Sequence, residues 1–359
     1  MFGAGKIIAS KKSFYIPYLL SSIQSAMIKY IFFFCLVTTG VAAQDFLTAA
    51  NTFLNSLDAK SKDAALYQLD DAERFNWHFV PRERKGACFR DFNDVQRKAG
   101  LAFIKASVGE SGYSKTTQIM ALENILREIE GRTATDTYRD PINYYITFFG
   151  TPSKDKPWGW RLEGHHIAFN FAAKDNQIVS STPHFFGSNP GTVPNGPEKG
   201  KQILKLETDG GFALCNSLTP EQKAKAIISE KALPEIVSFN SRKATLPDAP
   251  GISYKDLTAT QQKQLMSLLE VYVKDYQLGF SKKLMEKIRK AGVENLSFAW
   301  AGSQVPGTEA GNYYRIQGPM LLIEYDNTQN KGNHVHTTVR DLTNDFAEDI
   351  LKEHYLREH

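Results

Sequence analysis

Cysteine is scarce in this chain, with three residues in 359. Cys35 falls in an apolar N-terminal segment, which leaves Cys88 and Cys215 for the rest. Neither stands at metal-site spacing from a second cysteine, so a structural zinc knuckle is excluded. An oxidising compartment would let the two pair, and two free buried thiols is the plainer reading. Other signatures are missing as well. There is no glycine-rich phosphate loop followed by lysine, no Gly-x-Ser-x-Gly elbow and no His-Glu-x-x-His helix. The apolar stretch at 30–37 is too short for a spanning helix.

A charge excess is also missing once the N-terminus is set apart. Met27-Ile28-Lys29 opens a short basic segment, residues 30–37 are apolar, and Val41-Ala42-Ala43 places small residues at cleavage offsets. This pattern predicts a signal peptide over 1–43, cut before Gln44, with Met27 the true start and residues 1–26 an over-extension. The leader holds four lysines and no acid, so the remainder carries 39 basic and 39 acidic residues. Such balance does not call for nucleic acid, which needs a clustered basic surface. The expectation is a secreted or periplasmic protein without a stable membrane anchor, its residues 44–359 forming a single large domain.

What is present alternates between helical blocks and strands. Apolar spacing predicts helices over 45–72, 92–107 and 114–130, the last with Ile119, Leu122, Ile125, Leu126 and Ile129 on one stripe. Strand-like stretches follow at 75–80, 144–149, 158–173 and 178–186, with Asp175-Asn176 as a turn. Thr219 with Gln222, and Thr258 with Gln261, are capped helix starts. Helices at 259–277 and 279–291 precede strands at 295–301, 312–317, 320–326 and 334–340, and a closing helix at 344–355. This order predicts an α+β fold with a largely antiparallel, hairpin-linked sheet flanked by helical blocks.

The chemistry concentrates in two places. On the strand from His334, the side chains of His334, His336, Thr338 and Arg340 share one face. Pairing Asp326 with His334 would set Glu324 opposite His336. Two imidazoles and a carboxylate suit a first-row divalent ion, zinc, iron or copper. The second place is His165-His166, where alternation puts His166 with Ala168 and Asn170, and His165 with Ile167 and Phe169. His166, with Asn170 beside it, is the better candidate for an open metal site, and His165 is either a further ligand or a hydrogen-bonded core histidine. Glu324 and Arg340 are the candidate catalytic groups, Arg340 alternatively forming an ion pair with Asp341. Arg82 and Arg84 are candidate anion binders, and Tyr314, Arg315, Gln317 and Asn170 candidate pocket lining. His184 is a weaker candidate ligand and His78 a surface or half-buried residue.

Several blocks together resemble a secreted family known as domain of unknown function 3500. They are Trp77 to Pro81 with Arg84 and Gly86, Gly159 to His166 with Asn170, Phe186 to Pro190, Tyr313 to Pro319, Ile323 to Gln329, His334 to His336 with Arg340-Asp341, and Asn344 to Phe346 with His354-Tyr355. The resemblance implies no activity. His184 departs from the family's pattern, as does Ala347, where a glycine is expected. The residues themselves point to a metal-dependent hydrolase or oxidoreductase acting on a small or carbohydrate-like substrate. The alternative is a non-catalytic module for a small anionic or carbohydrate ligand.

Overall fold

The computed structural model describes residues 45–350 and 352, apart from 245, 247 and 308. The leader, His354 and His359 lie outside the described residues. The helices are α1 (Phe46–Ser56), α2 (Ala59–Ala65), α3 (Asp94–Ser107), α4 (Glu110–Ile129), α5 (Lys205–Ser217), α6 (Pro220–Ala226), α7 (Ala259–Val273) and α8 (Leu278–Lys290); side chains cap the free N–H groups at the starts of α2, α3, α6, α7 and α8. Full capping boxes stand at Asn93/Gln96, Thr219/Gln222 and Thr258/Gln261. Gln222 and Gln261 also bond each other at 2.9 Å, which ties two helix starts together. The stripe on α4 buries Ile119, Leu122 and Leu126, while Ile129 at the helix end is exposed.

Thirteen strands of the described residues form one sheet. The N-terminal half contributes β1 (Leu66–Tyr67), β2 (Ala87–Cys88), β3 (Tyr145–Phe149), β4 (Trp158–Gly164), β5 (Ile167–Lys174), β6 (Gln177–Ser180) and β7 (His184–Ser188). The C-terminal half contributes β8 (Ile227–Ser229), β9 (Ile252–Ser253), β10 (Ser297–Gly302), β11 (Asn312–Gln317), β12 (Leu321–Thr328) and β13 (His334–Asp341). The order is β1-β3-β4-β5-β7-β13-β12-β11-β10-β8, with β2, β6 and β9 on side branches. Only β1/β3 and β10/β8 run parallel, so the sheet is largely antiparallel and the fold is α+β, as expected. The β7–β13 ladder is the one strand-to-strand ladder between the two halves of the sheet among the described residues.

Alternation gives the sheet two unlike faces. Trp158, Trp160, Phe169, Ile316, Tyr325 and Val339 face the helices and the main core. Phe53 of α1, fully buried, meets Phe92, Phe103 and Phe148 there; truncating such a side chain to alanine costs about 3–5 kcal/mol. The opposite face carries Arg161, Glu163, Glu324, Asp326, His334, His336 and Arg340, all buried. It is covered by the irregular segments 70–86 and 230–244, with a second small core of Trp77, Phe79, Ala168, Phe185, Ile236 and Phe346.

Five expectations need correction. Residues 45–72 are two helices, α1 and α2, followed by β1, and residues 178–186 belong to two strands, β6 and β7. Residues 158–173 are not one strand but the hairpin β4–β5, with His165-His166 as its two-residue turn. Residues 75–80 form no ladder; a short 3-10 turn (Ala72–Phe75) leads into extended chain. The β12–β13 register pairs Asp326 with His336, Thr328 with His334 and Glu324 with Thr338, two residues away from the expected pairing. Thr328 extends β12, and the chain turns through Asn330, Lys331 and Gly332, all with positive φ. The Asp175-Asn176 turn is as expected, both residues having positive φ as a type I′ turn requires. Cys88 and Cys215 are free and buried.

Candidate metal centre

His334 and His336 lie on one face of β13 because two residues return a strand side chain to the same side. His166 reaches them from the β4–β5 turn, across β7. Its φ of 62° is uncommon for a residue with a β-carbon. Two backbone bonds hold it: its N–H donates to the Phe79 carbonyl (2.9 Å), and its carbonyl accepts from the Gly187 N–H (2.8 Å). Gly187 is needed opposite the ring, since a β-carbon there would lie 2.6 Å from His166 Cδ2.

The three Nε2 atoms converge. His166 Nε2 lies 2.8 Å from His334 Nε2 and 3.4 Å from His336 Nε2. A tetrahedral ion with bonds near 2.05 Å sets its nitrogens roughly 3.3 Å apart, so the spacing suits a first-row cation. His166 and His336 are each 3% exposed and His334 9%. Burial, reinforced by the neighbouring histidines, pushes His334 down to about 2 and His166 well below the usual imidazole range. Neutral imidazole is the metal-binding form. Three nitrogens facing one point cannot all be satisfied by sharing protons, whereas a cation would satisfy all of them.

The surroundings orient the rings. His336 Nδ1 faces the Glu235 carboxylate at 2.7 and 2.8 Å, which leaves Nε2 for the centre. Phe79 and Phe185, stacked at 4.0 Å, flank His336 at 5.2 Å each and keep water away. His165 stacks on His166 at 3.8 Å, but its Nδ1 is held by Glu123 at 2.5 Å and Arg139 at 3.2 Å. It sits beside the trio, with its ring nitrogens turned to α4. Asp326, opposite His336, is buried and pushed up to about 7 by that burial, with Glu235 adding to it.

The remaining residues singled out in the sequence are engaged elsewhere. Glu324 accepts from the Val237 N–H (2.6 Å), the Ser238 N–H (3.0 Å) and the Tyr313 hydroxyl (2.8 Å), anchoring the covering segment. Arg340 pairs with Asp345 at 2.7 Å, donates to the Ser241 carbonyl and lies over Trp77. The alternative partner Asp341 pairs instead with Lys287. Arg84 donates to the carbonyls of Val80 and Gly164, bracing the His165-His166 turn, and Arg82 donates to Asn76. Asn170 gives its amide to the Pro183 carbonyl. Tyr314 lies on the helix face, bonded to Tyr272, whereas Arg315 and Gln317 alternate onto the other face. His184 stacks on Phe169 and meets the Tyr276 hydroxyl on the helix side. His78 is half-buried against Phe239.

Sequence reasoning missed Glu235 and Gly187 as parts of the centre. Glu235 lies in an irregular segment with no histidine near it in sequence, so no spacing pointed to it. Gly187 stands in the Phe186–Pro190 block, and only the fold shows what its missing side chain leaves room for. A cleft of about 490 Å³ is lined from the helix face by Thr208, Phe212, Tyr325 and Val335, so β13 stands between it and the imidazoles.

A buried cluster of three imidazoles on an α+β sheet, able to hold a metal ion, is the defining feature of the molecule. The chain belongs to the family described as Protein of unknown function (DUF3500), whose model matches residues 39–348. No curated protein and no solved structure matches it. No helix of the described residues is long and apolar enough to cross a membrane.

Proposed function

We propose that this protein is a metal-dependent enzyme that binds a divalent zinc, iron or copper ion through His166, His334 and His336 and acts on a small or carbohydrate-like substrate outside the cytoplasm. One observation carries the reading: three buried Nε2 atoms from distant parts of the chain meet with spacings of 2.8 and 3.4 Å. Three protein ligands leave a fourth position for chemistry. Zinc there would serve hydrolysis; iron or copper would serve redox chemistry. His334 is the most exposed of the three, so a reacting group would approach from its side. A non-catalytic anion module draws less support, because Arg84 and Arg340 spend their guanidinium groups on carbonyls and carboxylates.

The test is metal analysis on protein purified without a histidine tag. A bound first-row metal, lost in a folded His334→Ala, His336→Ala double variant and kept in Thr337→Val, is expected; circular dichroism checks folding. Thr337 serves as the control because its side chain faces away from the cluster. Undiminished metal in the double variant would sink the site. Turnover in a hydrolase and oxidase screen that chelation abolishes would support an enzyme, whereas a ligand bound equally by metal-free protein and returned unchanged would favour the module. Secreted material is expected to begin at or near Gln44 on N-terminal sequencing.

A further inference from the structure

We infer that the centre takes a second cation, held by Glu235 and Asp326 and sharing His336 with the first. The inference rests on the three-histidine reading and extends it. Glu235, Asp326 and His336 each offer a ligand atom within 4.8 Å of the others, as do His166, His334 and His336. Both sets contain His336, and its ring presents a different nitrogen to each. Nε2 looks toward His166 at 3.4 Å, while Nδ1 looks toward Glu235 at 2.7 Å. One imidazole thus stands between two groups of ligands.

The charge on the second side calls for a cation. Asp326 is fully buried and accepts only from the Thr328 N–H and hydroxyl. Glu235 accepts from the Gln329 amide, the Ile236 N–H and His336. No lysine or arginine of the described residues forms a salt bridge with either carboxylate. Glu324 adds a third buried carboxylate to the same sheet face, held by two N–H groups and a tyrosine hydroxyl, with Arg315 opposite it on β11 but in no salt bridge with it among the described residues. Elsewhere on this face buried acids do have basic partners: Glu163 with Arg161 and Arg84, and Asp345 with Arg340. Burying charge without a counter-charge is costly. A divalent cation on oxygen ligands plus one imidazole nitrogen would remove that cost. For both nitrogens of His336 to bind at once, the ring must lose its remaining N–H proton, which passes to bulk water as the second cation enters.

The experiment titrates untagged, metal-free protein with Cu²⁺ and, separately, with Zn²⁺. Two equivalents per chain are expected, with more protons released on the second than on the first, from the His336 N–H and from any proton Asp326 holds. In the Cu²⁺ series the electron paramagnetic resonance signal should grow over the first equivalent and fall over the second, because a shared imidazolate couples the two spins. Asp326→Asn, close in shape to the native residue and outside the three-histidine set, should bind one equivalent and keep an uncoupled signal, with folding checked by circular dichroism. One equivalent in the native protein would overturn the second site and leave Glu235 as a group that only orients His336. Two equivalents with additive, uncoupled signals would overturn the sharing of His336. Failure to bind any metal would instead overturn the three-histidine reading itself.

Discussion

His166 occupies its place through backbone contacts that no ligand search would find. Gly187→Ala puts a β-carbon within 2.6 Å of the His166 ring without touching any ligand. The ring must shift, and the variant is expected to bind Zn²⁺ at least about tenfold more weakly, one factor of ten corresponding to ~1.4 kcal/mol. Competition against a chromophoric chelator would show it, and unchanged affinity would mean that the ring position does not matter. Ala347 illustrates the reverse case. It is buried with φ 52°, a conformation glycine adopts without strain, which gives a physical reason for the glycine expected there. Ala347→Gly should raise stability by roughly 0.5–1 kcal/mol in urea unfolding. At this scale the shared face of His334 and His336 was legible, because strand alternation needs no knowledge of partners. The register was not: two extra residues of β12 move every opposite pair while preserving which side each faces. That is why Asp326, and not Glu324, stands across from His336.

Helix starts were the most legible elements, since a threonine followed three residues later by glutamine states its own geometry. The β4–β5 hairpin was hidden for a related reason. A histidine stands where such turns usually carry glycine or asparagine, so the strand pattern reads straight through it. What links the helices was also out of view. Lys115 of α4 sits between Glu207 of α5 and Asp275 just beyond α7, and Ser111 donates to Asp275 at 2.7 Å. Two carboxylates share one ammonium, which raises Lys115, while burial pushes Asp275 up to about 6. Folded Asp275 keeps its proton to about pH 6, whereas in the unfolded chain it gives it up near pH 4. Folding therefore takes up a proton between those values, and this group's contribution falls as pH rises through them. Asp275→Asn should lack this slope. The stability of the native protein minus that of the variant is expected to drop by roughly 3 kcal/mol from pH 4 to 7. A constant difference would show that Asp275 titrates normally.

For the whole molecule, composition and element order were enough to indicate an α+β sheet, but not that both faces would be buried. The segment 75–80 looked like a strand because its side chains alternate between sheet and solvent, although its backbone joins no ladder: the His78 N–H donates to the Glu163 carboxylate and the Phe79 carbonyl accepts from the His166 N–H of a turn. The centre lies across the join between the two halves of the sheet, His166 on one side and His334 and His336 on the other. Metal bound there should hold the halves together. At free Zn²⁺ one hundred times Kd, about 2.7 kcal/mol of added stability is expected, seen as a rise of several degrees in Tm that EDTA reverses. The same placement also fixes an order of events in time. The ligands come from positions 166, 334 and 336, so the centre does not exist until the second half of the chain has been made and β13 has closed against β7. Before that the chain offers only the separate pairs His165-His166 and His334-His336, neither of which makes the three-nitrogen set alone. Loading of the full site would then wait for that ladder to form, which ties metal uptake to the completion of the fold across its two halves.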